Sequence, residues 1–146
     1  MNTRPPRWSR APLALATALL LGGCFSSGAP HPRGAALAVT EHDFGIHLSS
    51  NHIAAGVVTL AIHNSGPDQH ELIVVPEARH GEPFRSDGFT VNEEALQSQE
   101  AGSINPQHPG GTENLTLNLR PGRYLLFCNM AGHYMAGMHV ELEVSG

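Results

Sequence analysis

The chain has 146 residues with 8 basic and 13 acidic side chains, and its formal net charge is −5 at pH 7 with histidine neutral. After removal of a leader, this length allows one domain with a proper hydrophobic core and is too short for two. The acidic balance argues against binding to nucleic acid or, through charge, to anionic lipid, and it favours a protein partner with a basic face.

The first residues have the layout of a secretory signal. Three arginines within residues 1–10 precede an apolar run at 11–21, shorter than the ~20 residues that a membrane-spanning helix needs. The run closes with "LGGC" (21–24), which resembles the lipobox of bacterial lipoproteins, in which the cysteine becomes the lipid-bearing first residue. An ordinary cleaved signal with an incidental cysteine is the alternative. We expect residues 1–23 to be removed and a lipid on Cys24 to anchor an extracytoplasmic, periplasmic protein.

Residues 24–36 are predicted to form a flexible tether, because "FSSGAPHPRGAA" (25–36) is too rich in glycine, proline and serine to bury a core. The folded domain is expected at 37–146. Loss of the three leader arginines takes the formal net charge from −5 to −8. If Cys24 carries a lipid, Cys128 has no disulfide partner within the chain, so an exported thiol needs another purpose.

Six short segments have apolar side chains at every second position and predict β-strands. They are "VTEHDFGIHL" (39–48), "GVVTLAIHN" (56–64), "HELIVV" (70–75), "NLTLNL" (114–119), "GRYLLFC" (122–128) and "MHVELEV" (138–144). The alternation is clearest in the last segment. Many short strands buried on one side indicate an all-β fold, which we expect to be an antiparallel sandwich or barrel.

Residues 76–113 interrupt this pattern and are rich in proline, glycine and polar side chains. We predict a long loop excursion there. Within it, "NEEALQ" (92–97) offers a capping residue followed by acids, so one or two helical turns are expected to begin at Asn92. A connection of this length is usually functional or loosely ordered, and the sequence leaves both possibilities open.

The stretch "CNMAGHYMAGM" (128–138) places Cys128, His133 and Met138 at equal intervals of five residues. Side chains at that spacing lie about 140° apart on a helix and on opposite faces of a strand, so neither regular structure would bring them together. A folded loop could do so. Gly132 and Gly137 stand immediately before the second and third donors, where they allow the backbone to turn.

A thiolate, an imidazole and a thioether in one loop fit copper better than other metals. Soft sulfur selects copper, and imidazole accepts both of its oxidation states. Zinc rarely takes methionine, and iron–sulfur clusters need more cysteines. A cysteine protease would need a base, an orienting group and an oxyanion site that the sequence does not mark. Taken singly, Cys128 and Met138 have the simpler interpretation as core residues.

A trigonal copper site needs a second imidazole. His70 is the best candidate, because it follows the turn "NSGPDQ" (64–69) and opens an apolar strand that would hold its ring rigidly. His63 is the alternative. It closes the preceding segment, whose residues alternate as in an ordinary half-exposed strand.

These features resemble the cupredoxins, the family of plastocyanin, azurin, rusticyanin and sulfocyanin, over residues 37–145. The resemblance is carried by His70 after a turn and by the distant C-x4-H-x4-M at 128–138, whose spacing is more similar to rusticyanin and sulfocyanin. It implies a Greek-key β-sandwich with one type 1 copper near one end, held by His70, Cys128, His133 and Met138. Glu71 follows the first histidine where family members often carry asparagine to lock the loop.

The resemblance also implies single-electron transfer between redox partners rather than enzymatic activity. A redox partner is expected to dock near His133, and we expect a monomer. The expected docking patch is small and apolar and consists of Ala131, Gly132, Tyr134, Met135 and Ala136. The alternative function is a copper carrier or buffer, for which Met130 and Met135 would be Cu(I) donors. A domain that keeps the fold but binds no metal is a third possibility.

Overall fold

The computed structural model describes residues 34–78 and 81–146. The predicted signal and the proposed lipid site at Cys24 lie outside these residues. The described part contains nine strands and one short helix: β1 Ala35–His42, β2 Gly45–Leu48, β3 His52–Ala54, β4 Gly56–Asn64, β5 His70–Pro76, α1 Glu93–Leu96, β6 Gly102–Gln107, β7 Thr112–Leu119, β8 Gly122–Phe127 and β9 His139–Ser145. None of its helices has the length and apolar character needed to cross a membrane.

The strands form two sheets, one of four strands in the order β2-β1-β4-β7 and one of five in the order β3-β9-β8-β5-β6. The predicted all-β sandwich is confirmed. The expectation of purely antiparallel pairing is wrong, because β1 pairs with β4 and β3 pairs with β9 in parallel. The chain leaves the first sheet to form β3 in the second and then returns, so β4 can run in the same direction as β1.

The main core lies between the sheets and is built by the alternation seen in the sequence. Leu37 and Val39 of β1 and Val58, Leu60 and Ile62 of β4 are buried there, while the residues between them are more exposed. Burying each such side chain contributes about 1.5–3 kcal/mol. The two sheets are therefore joined by one continuous apolar layer.

The strands β5 and β8 are buried on both faces, which explains their unbroken apolar runs. A second apolar cluster covers the outer face of their sheet and consists of Ile73, Val75, Val91, Leu96, Leu125 and Phe127, with Tyr134 packed against it. Part of the predicted excursion thus folds over the sheet. Its short helix begins where expected, since the side chain of Asn92 accepts a hydrogen bond from the N–H of Ala95 at 3.3 Å.

Three strand predictions need correction. The segment 39–48 is not one strand: it divides into the end of β1 and the whole of β2, joined by a turn at Asp43 and Phe44. Phe44 takes a left-handed backbone conformation with φ of 63°. The strands β3 and β6 were not predicted; β3 has only three residues, and β6 lies in the excursion with a proline in its sequence.

Candidate metal centre

The structure brings His70, Cys128 and His133 together. Their possible ligand atoms all lie within 4.8 Å of one another. The Sγ atom of Cys128 is 3.5 Å from Nδ1 of His133, and the two imidazole centroids are 5.1 Å apart. The alternative histidine, His63, is exposed, and its Nδ1 lies 3.3 Å from the carbonyl oxygen of Gly111. The sequence-based preference for His70 therefore agrees with the geometry.

Strand pairing places the first histidine beside the cysteine. His70 is the first residue of β5, and Cys128 directly follows the last residue of β8. These strands are antiparallel neighbours, with Ile73 opposite Phe127, so the start of one lies next to the end of the other. Because both strands are buried on both faces, neither donor can move far without disturbing the core.

The loop between Cys128 and Met138 folds back on itself. The N–H of His133 donates to the carbonyl oxygen of Met130 at 2.9 Å, which closes a tight turn around Gly132. Gly132 and Gly137 have φ values of 83° and 104°, in the region that favours glycine. The expected role of these two glycines is confirmed by their backbone conformation.

Met138 is linked to both other donors of the loop through its backbone. Its N–H donates to the carbonyl oxygen of His133 at 3.0 Å, and its own carbonyl oxygen accepts from the N–H of Cys128 at 3.1 Å. Its side chain is fully buried in the same core cluster as Cys128. The fourth predicted donor is thus held at the closing end of the loop.

The surroundings of Cys128 favour a thiolate only when a bound positive charge offsets the cost of burying its negative charge. Cys128 is a free, fully buried cysteine, and burial raises the pKa of its thiol to about 11. Hydrogen bonds from the backbone N–H groups of Glu71 and Met130 act in the opposite direction. Without a metal the group is a thiol at neutral pH, and two N–H donors already face its sulfur.

His70 presents one ring nitrogen to the site. Its side chain is completely buried, and Nδ1 has no hydrogen-bond partner among the described residues. The other nitrogen, Nε2, is 3.1 Å from Oδ1 of Asp43. Burial is the largest influence on the pKa of His70 and lowers it, while the hydrogen bond to Asp43 raises it. A neutral ring that donates from Nε2 leaves the Nδ1 lone pair free to bind a metal.

Glu71 occupies the position at which the resemblance would have placed an asparagine. Burial raises the pKa of its carboxyl, the charge of Glu93 raises it further, and the backbone N–H of Asn129 lowers it. The carboxylate therefore lies near the backbone N–H of the residue that follows Cys128. The side chain of Asn129 in turn bonds to the backbone of Val91. Glu71, which follows His70, and Asn129, which follows Cys128, thus lie next to each other.

Two aromatic residues were not predicted, one in contact with His133 and one in contact with the preceding Gly132. The ring of Phe44, which is 53% exposed, meets the half-buried imidazole edge-on with centroids 5.7 Å apart. Phe89 is 63% exposed, and its carbonyl oxygen accepts from the N–H of Gly132 at 3.3 Å. Tyr134, by contrast, turns toward Phe127 and is half-buried. No sequence pattern marks these two aromatic residues, because both lie in irregular segments far from residue 133 along the chain.

The donor set is suited to a soft metal. One thiol and two imidazoles converge, and the nearby Asp43 carboxylate faces the far nitrogen of His70. Sulfur with two imidazoles is the trigonal combination typical of copper sites that transfer electrons, usually with a weak axial methionine. The orphaned, buried Nδ1 of His70 fits this arrangement, since such a group is costly without a ligand.

Solved structures share this architecture at low sequence identity. Auracyanin from Roseiflexus castenholzii is 20% identical, has a TM-score of 0.58 and covers 77% of this chain and 100% of its own. Auracyanin A from Chloroflexus aurantiacus, described as a "blue" copper protein, is 19% identical with a TM-score of 0.53, covering 76% and 100%. Rusticyanin from Thiobacillus ferrooxidans is 14% identical with a TM-score of 0.56, covering 77% and 79%.

No protein-family model matches the chain, and no curated protein matches it by sequence. The structural likeness is nevertheless consistent across auracyanins, azurin and rusticyanin. The chain therefore has the β-sandwich fold of the cupredoxins, with His70, Cys128 and His133 gathered at one site.

Proposed function

We propose that this protein is a mononuclear type 1 copper protein that carries single electrons. His70, Cys128, His133 and Met138 would hold the ion. The proposal rests on the convergence of two imidazole nitrogens and one sulfur within 4.8 Å. Copper held there would supply one-electron redox chemistry between a donor protein and an acceptor protein.

The role of the protein is to hold the donors in one geometry. His70 and Cys128 stand on neighbouring strands in the middle of a sheet that is covered on both faces. The turn from His133 to Met138 is closed by a backbone hydrogen bond of 3.0 Å. Because close-packed interiors resist deformation, the ligands move little when the charge of the ion changes, which favours fast electron transfer.

We place the docking surface around His133. Phe44, Phe89 and Met135 are between 53% and 63% exposed near the only half-buried imidazole of the donor set. Such a small apolar patch suits brief association over a modest interface. The acidic character of the rest of the chain favours a redox partner with a basic rim and opposes nucleic acid. We expect the protein itself to be a monomer.

Copper delivery is the competing function. Met135 is 60% exposed and could pass Cu(I) to a partner, whereas Met130 packs partly against the core and is less available. An electron carrier keeps its copper through repeated reduction with ascorbate and reoxidation, but a delivery protein loses Cu(I) to a competing chelator such as bicinchoninate. Copper retention after ten cycles in the presence of the chelator therefore separates the two functions.

We also propose that the protein is exported and anchored by a lipid on Cys24, as the leader and the "LGGC" sequence favour. Mass spectrometry of the protein purified from membranes would test this. A mature chain that begins at a diacylated Cys24 is the expected result. An unmodified chain in the soluble fraction would contradict anchoring while leaving the copper site unaffected.

The central test is to add Cu(II) to the purified domain and record its visible spectrum. We expect an intense charge-transfer band from the copper–thiolate bond. Cys128→Ser should abolish the band, and His70→Ala should weaken or shift it. His63→Ala is the matched control, because that exposed histidine lies away from the site. A wild-type protein without the band, or a Cys128→Ser variant that keeps it, would exclude a type 1 site.

A further inference from the structure

We propose that Asp43 is a positioning residue for His70. Its carboxylate fixes the ring so that Nδ1 faces the sulfur of Cys128, and its negative charge beside the ring favours the more positive oxidation state of a bound metal. The second half of this inference rests on the proposed copper-binding function. The first half concerns the metal-free protein and can be tested separately.

The contact between the two side chains is direct. Oδ1 of Asp43 is 3.1 Å from Nε2 of His70, whose side chain has 0% exposure. Asp43 is 27% exposed, so its carboxylate lies at the edge of the site. A carboxylate can only accept a hydrogen bond, so Nε2 must carry the ring proton and Nδ1 must be the basic nitrogen. Carboxylate–histidine pairs of this kind fix the tautomer of metal ligands and increase their basicity.

The backbone at Gly66 confines this hydrogen bond. A Cβ atom at that position would lie 2.7 Å from Oδ1 of Asp43 and 2.9 Å from Nε2 of His70, both closer than real Cβ contacts. The N–H of Gly66 donates to Oδ1 of Asn64 at 2.9 Å, and Asn64 is fully buried. The glycine is therefore held against the pair, and the pair has little freedom to rearrange.

The turn between β1 and β2 contacts both imidazoles of the site. Asp43 bonds to His70, and the next residue, Phe44, packs its ring against His133. Phe44 adopts φ of 63°, an unfavourable value for a residue with a side chain. That strained conformation directs two consecutive side chains toward two different histidines. The turn is thus a support for the donor set as well as a connection between strands.

The charge of Asp43 should affect the reduction potential. Cu(II) carries one more positive charge than Cu(I), so a carboxylate bonded to a ligand stabilises the oxidised form and lowers the potential. Asp68 provides a comparison, since its charge also acts on His70 while its own side chain is exposed. Asp68→Asn removes a charge from the neighbourhood and leaves the 3.1 Å contact of Asp43 in place.

The experiment compares Asp43→Asn, Asp43→Ala and Asp68→Asn. In the metal-free protein, ring ¹⁵N NMR at pH 8.5 should show His70 of the wild type protonated only at Nε2. Asp43→Ala should give a mixture of tautomers, and Asp43→Asn should retain the Nε2–H form through its amide oxygen. With copper bound, both Asp43 variants should have raised potentials, by more than Asp68→Asn. Asp43→Ala should lose about 10- to 100-fold in copper affinity.

The outcomes separate the two proposals. A wild-type protein without a copper–thiolate band refutes the copper function, yet the tautomer of His70 still decides whether Asp43 positions it. If Asp43→Ala leaves both the tautomer and the potential unchanged, the inference is overturned. If Asp43→Ala does not fold, the near-isosteric Asp43→Asn variant is used for the test. The role of the charge would be refuted if the reduction potential of Asp43→Asn equals that of the wild type, or if it shifts by no more than that of Asp68→Asn.

Discussion

The side-chain amide of Asn129 forms two hydrogen bonds with the backbone of Val91. Its Oδ1 accepts from the N–H of Val91 at 2.6 Å, and its Nδ2 donates to the carbonyl oxygen of Val91 at 3.0 Å. The same Nδ2 also donates to the carboxylate of Glu93. Because Asn129 directly follows Cys128, this bridge ties the donor-bearing loop to the segment that covers the outer face of the five-stranded sheet.

Replacing Asn129 with alanine should destabilise the metal-free protein by about 2–4 kcal/mol, because it leaves the buried backbone groups of Val91 without partners. Urea unfolding measures this change. Asn118→Ala is the matched control on an exposed strand position and should alter stability by less than about 0.5 kcal/mol. Equal stabilities for the two variants would show that the bridge contributes nothing.

The same bridge shows where prediction from the sequence ends. The strand patterns of β4 and β9 follow from alternation of apolar residues, which depends on local burial and is visible in a single chain. The helix start at Asn92 follows from capping chemistry. The partner of Asn129, in contrast, is 38 positions away. No local preference specifies which turn of an irregular segment will meet a given side chain.

At the metal centre, too, the sequence predicts some of the residues and not others. The placement of Cys128, His133 and Met138 in one loop could be deduced because five-residue spacing excludes regular structure and glycines precede two of the donors. The choice of His70 depended on its position after a turn. Asp43 could not be found, because the pattern of residues 39–48 predicts one continuous strand through this position, whereas the structure has a turn there with Phe44 in a left-handed conformation.

Gly66 should not tolerate even the smallest side chain. Gly66→Ala places a methyl group within 2.9 Å of both Asp43 and His70, so one of them must move. We expect a fall in copper affinity of about tenfold or more and a loss of about 1–3 kcal/mol in stability. Pro67→Ala, at the exposed neighbouring position, should change neither. Calorimetric titration with Cu(II) and urea unfolding provide the two readings, and an unchanged affinity in Gly66→Ala would show that the pair is not confined.

The conformation of Phe44 gives a second test of the β1–β2 turn. At a φ of 63° a side chain costs about 1–2 kcal/mol, which glycine avoids. Phe44→Ala and Phe44→Gly both remove the aromatic contact with His133, but only glycine relieves the backbone. We therefore expect Phe44→Gly to be more stable than Phe44→Ala by about 1 kcal/mol in thermal or urea unfolding. The opposite order would mean that the turn adopts another conformation in solution.

Glu41 lies inside the sandwich without any visible partner. Its side chain has 0% exposure, and neither carboxylate oxygen has a hydrogen-bond partner within residues 34–78 and 81–146. Burial raises the pKa of this carboxyl from 4.5 to about 7, and the charge of Glu71 acts in the same direction. The folded state therefore holds a proton on Glu41 more tightly than the unfolded state does.

This difference makes stability depend on pH. Below pH 4.5 Glu41 is protonated in both states, and its favourable contribution to the free energy of unfolding is fully present. As pH rises through about 7 this contribution is lost, and the free energy of unfolding falls by up to about 3 kcal/mol because the charge is buried only in the folded state. Glu41→Gln removes the ionisation, so the metal-free variant should gain stability over the wild type at pH 8 but not at pH 4.5. Urea unfolding from pH 4.5 to 8 measures this, with Glu100→Gln as the exposed control. Parallel curves for wild type and Glu41→Gln would mean that Glu41 remains charged in the folded protein, with solvent or a cation reaching its carboxylate.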